Sequence, residues 1–151
     1  MAIWVGLGVA IFVVAPRYND AQRAGGVAEF GSVVEAGTPW RFAAAGVLDI
    51  GFAVAYGLLG FAIGWREQRA REGLAWLRVR QTAGTIVAVG ALCDIAENLV
   101  VLANIARRDT LTAEWIDVMR ILGDLKWLLG IGGALVLLVA VGGEELRRRR
   151  A

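Results

Sequence analysis

Four stretches of the chain are apolar almost without interruption: residues 2–15, 42–65, 82–106 and 115–141. Polar residues crowd into the gaps between them, so charge is segregated along the sequence rather than alternated with hydrophobic positions. The last three stretches reach the ~20 residues with which an α-helix crosses a ~30 Å hydrocarbon core. The first ends at Pro16 and Arg17 and is short for a span. No Lys or Arg precedes it and a Pro follows it directly, which suits a retained helix better than a cleaved signal peptide. The pattern predicts an all-α, polytopic membrane protein. It has one domain over residues 1–151, four transmembrane helices in a bundle, and a basic tail at 142–151.

The connections carry further structure. Within residues 16–41, Val27, Phe30 and Val34 recur at helical spacing, with Glu29 and Glu35 off that stripe. This reads as a short amphipathic helix on the outer surface, or as a lid. Five Arg fall in residues 66–80 and four in 144–150. The opposite side has Arg17, Arg23, Arg41, Arg107, Arg108 and Arg120. Nine against six places both termini in the cytoplasm of a bacterial inner membrane. The Arg run 147–150 reads as an anchor on anionic lipid, and no nucleic-acid partner is expected. Trp40, Trp65, Trp76 and Trp115 sit near span ends, as an aromatic belt requires. Small residues permit close helix packing: Ala53, Gly57, Gly60 and Gly64 in the second span, and Gly123, Gly130, Gly132 and Gly133 in the fourth.

Composition narrows the chemistry. Hydrophobic residues make up 58% of the 151 positions, well above the roughly 45–50% of soluble domains. There is no His and a single Cys, Cys93, which reads as a packing residue. An intrachain disulfide, a His/Cys zinc site and a His-activated nucleophile are therefore excluded. Fifteen Arg stand against one Lys, and that Lys126 lies inside the fourth apolar run.

The informative residues are the polar ones that a bilayer should exclude. They are Asp49 and Tyr56 in the second span, Asp94, Glu97 and Asn98 in the third, and Asp124 and Lys126 in the fourth. An ionised group at mid-membrane costs about 2.5–3.5 kcal/mol on insertion scales, so such residues face protein or water. With a rise of about 1.5 Å per residue, Asp49, Asp94, Glu97 and Lys126 reach similar depths in the outer half. Asp94, Glu97, Asn98, Val101 and Asn104 share one helix side, as do Asp49, Ala53, Tyr56 and Gly60, and as do Lys126, Gly130 and Gly133. Arg120 and Asp124, four apart, neutralise each other on another side. The expectation is one site, with Asp49, Asp94 and Glu97 around Lys126.

Three carboxylates and one ammonium sum to −2. A low-dielectric site lowers that charge by holding protons or a cation. Lys, unlike Arg, is a basic side chain able to exchange its proton. No loop has the dense, regularly spaced carboxylates of a calcium site, so neither a permanent metal nor a cofactor is expected. The inner half of the third span is apolar from Ile86 to Cys93, which disfavours a water-filled pore. Three functions remain. The first is binding or transport of a proton, a cation or a polar-headed hydrophobic ligand at Asp49, Tyr56, Asp94, Glu97, Asn98 and Lys126. Transport would require a homodimer. The second is a structural or accessory subunit of a larger membrane complex, its ion pairs fixing helix register. The third is an intramembrane acid–base enzyme acting on a lipid-soluble substrate through Glu97, Asp94, Lys126 or Tyr56. The run from Cys93 to Asn98 is distinctive without pointing to a family.

Overall fold

In hydrocarbon the backbone finds no water to bond, so an apolar run must satisfy its N–H and C=O groups within itself, as a helix does. The computed structural model describes residues 18–35, 39–66, 74–107 and 112–150. Every regular element among them is an α-helix: α1 (Tyr18–Gln22), α2 (Val27–Glu35), α3 (Pro39–Trp65), α4 (Leu74–Ala106) and α5 (Ala113–Arg150). Three are long and apolar enough to cross a membrane, over Trp40–Trp65, Ala75–Ala106 and Ala113–Gly143. The expected first span, residues 2–15, lies outside the described residues.

Two helices overrun their apolar stretches. Helix α4 starts at Leu74 rather than near Thr82, and α5 continues through the basic tail to Arg150. The reason is local. Residues 74–81 hold no Gly or Pro and are rich in Leu, Arg and Gln, while the tail after Gly143 is Glu, Leu and Arg. These are good helix formers, and a helix need not stop where the hydrocarbon does. Trp40 and Trp115 open α3 and α5 at one end, and Trp65 closes α3 at the other, all roughly half-exposed. The 26 residues of the α3 span separate these two levels by roughly 38 Å, enough for the apolar core and part of its interfaces.

Helix α4 is the central element. Helices α3 and α5 pack antiparallel along it on either side and scarcely touch each other. Glycines set both seams. A Cβ on Gly84 would lie 2.7 Å from the Gly60 carbonyl oxygen and 2.8 Å from Gly64 Cα, so α3 and α4 meet backbone to backbone. On the other seam a Cβ on Gly90 would lie 2.7 Å from the Gly130 amide nitrogen. Such approach lets van der Waals contact act between helices that gain nothing from hydrophobic exclusion in lipid.

One end of this bundle is capped by α1 and α2. Phe30 and Val34 of α2, with Ala21 and Ala24, bury themselves against Phe42 and Ala45 of α3, Val101 of α4, and Ile116 and Met119 of α5. The Glu29 carboxylate accepts the Gly25 N–H at 2.6 Å, and Arg120 donates to the Gly25 carbonyl at 3.2 Å, fixing the turn between the cap helices. The amphipathic helix is therefore where its periodicity put it, but its apolar face turns onto the span ends and not into lipid. Val27 falls off the buried stripe and stays exposed.

The glycine seams make a sharp prediction. Gly84→Ala drives a methyl group into α3 backbone and should cost about 1–3 kcal/mol. Gly132→Ala, where a Cβ meets nothing within 4 Å, should change stability by less than about 0.5 kcal/mol. Thermal unfolding of the two purified variants in detergent checks the difference.

Candidate functional site

The site forms where α4 presents Asp94, Glu97 and Asn98 on the side that faces both neighbours. All three are buried, and Asn98 is completely so. Lys126 reaches them from α5: its ammonium lies 2.6 Å from Glu97 Oε2 and 3.0 Å from Asp94 Oδ1. From α3, the Tyr56 hydroxyl donates to Asp94 Oδ2 at 3.2 Å. The Asn98 amide donates to Asp49 Oδ2 at 3.0 Å and to Asp94 Oδ1 at 3.1 Å. All six residues expected at the site are thus joined in one network.

The geometry corrects two details. Asp49 does not touch Lys126 and is linked to the ion pair through Asn98, so the ammonium serves two carboxylates and not three. Arg120 pairs with Asp117, at 3.6 Å, in place of Asp124. An α-helical side chain leans toward its own N-terminus, which carries Arg120 toward Asp117 and the Gly25 carbonyl of the cap. Asp124 is left exposed at the rim of the cavity beside the site.

One participant was not foreseen. Gln22 of α1 is buried, and its amide donates to Asn98 Oδ1 at 3.1 Å and toward Asp49 Oδ2 at 3.4 Å. The polar network is therefore closed at the capped end by the cap itself. Its only sequence signal was a polar residue between Ala21 and Ala24, too short a stretch to show a periodicity.

A cavity of about 1160 Å³ opens beside the ion pair, between α3 and α5, with α4 as its floor. Its head is lined by Gln22, Arg23, Asp49, Asp94, Glu97 and Lys126, and its remainder by apolar residues such as Leu59, Ile63, Ile131, Leu135 and Leu138. Polarity is thus confined to the capped half. The three carboxylates are not equally occupied. Asp94 accepts from Tyr56, Asn98 and Lys126, and Asp49 accepts from Asn98 and Gln22. Among the described residues Glu97 is paired with Lys126 alone, and its other oxygen lies against Gly123, where a Cβ would come within 3.1 Å. Glu97 is the carboxylate with spare acceptor capacity, at a point where α5 offers no side chain. Among the described residues no group of three or more His, Cys, Asp or Glu is placed to hold a metal ion.

Comparison with protein-family models, with curated proteins and with solved structures finds no match to this chain.

Asn98 holds the α3 side of the site together. Asn98→Ala leaves Asp49, Asp94 and Gln22 each short of a partner, and a buried group so abandoned costs about 1–3 kcal/mol. Gln22→Ala removes only the outermost link. The unfolding midpoint in detergent should fall clearly for Asn98→Ala and by a smaller amount for Gln22→Ala.

Proposed function

We propose that the protein is a multi-pass protein of a bacterial inner membrane, with four spans and both termini in the cytoplasm. We propose further that it binds a proton, a cation or the cationic head of a hydrophobic molecule beside Glu97 and Lys126. The observation that carries this reading is one ammonium shared by two buried carboxylates, with a third one hydrogen bond away, all bordering an open cavity. Glu97, the least occupied acceptor, receives the incoming positive charge. Lys126 is displaced toward Asp94. Tyr56 and Asn98 hold Asp94 in place throughout. The apolar remainder of the cavity favours a guest that is itself lipophilic.

A second reading has an observation of its own. Asp94 is fully partnered and the network ties α1, α3, α4 and α5 together, as an accessory subunit with a purely structural ion pair would need. Two measurements separate the readings. Tetraphenylphosphonium, a lipophilic permanent cation, should bind the purified full chain saturably. Glu97→Gln should weaken that binding at least tenfold, and Lys126→Met, which removes the resident cation, should tighten it. No saturable binding to the unaltered chain would sink the proposal. In thermal unfolding, a structural pair predicts a loss of about 3–5 kcal/mol for either single variant. Charges kept for a ligand predict that at least one variant melts at or above the unaltered protein.

The topology is checked separately. Gly25→Cys in a Cys93→Ala background should react with a membrane-impermeant maleimide added outside intact cells, since the capped end is the outer one in this reading. Labelling only after the cells are broken open would reverse the orientation.

A further inference from the structure

The cavity beside the ion pair has a polar head and a long apolar body, and the two parts together limit what can fill it. On α5 the face below Lys126 continues as Gly130, Ala134 and Leu138, at helical spacing. A Cβ on Gly130 would meet nothing within 4 Å, so the side chain missing there is open space in the cavity. With only a methyl group at Ala134, the two residues leave a furrow along α5, faced by Leu59, Gly60 and Ile63 of α3. Among the described residues the lining beyond Lys126 carries no charge. The stripe from Gly123 to Leu138 covers roughly 22 Å of helix.

The head holds an acceptor in reserve. Glu97 is 2% exposed and pairs with Lys126 through Oε2, while Oε1 borders the bare α5 backbone at Gly123. Its resident partner is itself a primary ammonium at the end of an unbranched alkyl chain, with three N–H donors. With the carboxyls ionised, Asp49, Asp94, Glu97 and Lys126 sum to −2, so one further ammonium lowers the charge without expelling the lysine. A lipid tail alone fills the apolar body but offers Glu97 nothing. A compact cation answers Glu97 but leaves the body to another molecule. An amphiphile does both.

An extended alkyl chain, with bonds of ~1.5 Å at ~111°, advances roughly 1.25 Å per carbon, so about sixteen to eighteen carbons match the stripe. We propose that the guest is a long single-chain primary alkylammonium, its ammonium on Glu97 Oε1 beside Gly123 and its chain in the furrow toward Leu138. The inference rests on the cation-binding reading of the site and names the class of cation. It also gives Gly130 and Ala134 a role, since their small size is what admits the chain.

Displacement of tetraphenylphosphonium from the purified full chain in detergent tests it, with hexadecylammonium and hexylammonium as competitors. Ala134→Phe puts a ring across the furrow roughly 16 Å below Gly123, beyond the end of a six-carbon chain of roughly 7 Å. It should weaken hexadecylammonium at least tenfold, while hexylammonium and tetraphenylphosphonium change less than threefold. Comparing each amine between the variant and the unaltered protein cancels its partitioning into detergent. Ile63→Trp obstructs the opposite wall and repeats the test if Ala134→Phe no longer binds tetraphenylphosphonium. Hexadecylammonium weakened no more than hexylammonium would put the chain outside the furrow and overturn the proposal. Tetraphenylphosphonium that binds but is displaced by neither amine would overturn it and leave the cation-binding reading standing. No saturable binding of tetraphenylphosphonium would remove both.

Discussion

A single ammonium among helices apolar enough to cross a membrane fixes how this protein is put together. Lys126 unpaired would cost about 2.5–3.5 kcal/mol at the membrane centre, and each carboxylate opposite it as much. Shared at 2.6 and 3.0 Å, the charges oblige α5 to take one register on α4. A slip of one turn moves the ammonium about 5.4 Å and strands all three groups. Gly133, two turns after Lys126 on the same side of α5, lies against α4, where a Cβ would come 3.0 Å from the Val87 amide nitrogen, and Gly90 of α4 lets that helix approach the α5 backbone at Gly130. Close approach and charge pairing are thus one feature of one helix face.

The seam with α3 works differently. At the far end the buried Arg80 of α4 donates to the Arg66 carbonyl at 2.7 Å. At the site the seam's polar contacts are neutral donors offered to carboxylates, the Asn98 amide to Asp49 and the Tyr56 hydroxyl to Asp94. The cap joins this seam by the same chemistry through Gln22, while Phe30 and Val34 supply its hold by burial, each worth roughly 1.5–3 kcal/mol. The apolar cluster positions the cap, and the cap in turn positions the one side chain that closes the polar network against the surface. Asn98 is fully buried beneath residues that never touch the ion pair.

Much of this was legible in the sequence, because a polar residue inside a long apolar run has few places to go. Asp49, Tyr56, Asp94, Glu97, Asn98 and Lys126 stood out on that ground, and the i, i+3, i+4 spacing then set which sides they share. What stayed hidden has physical causes. The helix ends at Leu74 and Arg150 lie in charged sequence, where hydropathy is silent although helix propensity is high. Gln22 belongs to a five-residue helix, which is less than two turns and has no amphipathic signature to read. Arg120 had acids at both i−3 and i+4, equivalent on a helix surface, and the choice was made by a distant chain segment, the Gly25 carbonyl. For Gln22 and Arg120 tertiary packing decided what local pattern left degenerate.

The distribution of charge around the cavity gives the proposed site a direction. At the rim, Arg120 is engaged by Asp117, which leaves Arg23 and Asp124, one charge of each sign. Deeper in, Asp49, Asp94 and Glu97 outnumber Lys126 by two. With its carboxyls ionised the interior is negative while the rim is close to neutral, and low-dielectric walls strengthen that field over the distance a ligand would travel. A positive group gains at every step inward until it meets Lys126, its competitor for Glu97. An anion or a neutral polar molecule gains nothing along the same path. Under the binding proposal, selectivity for positive charge needs no further contact, because it follows from placing three acids and one base at a single depth beside a glycine.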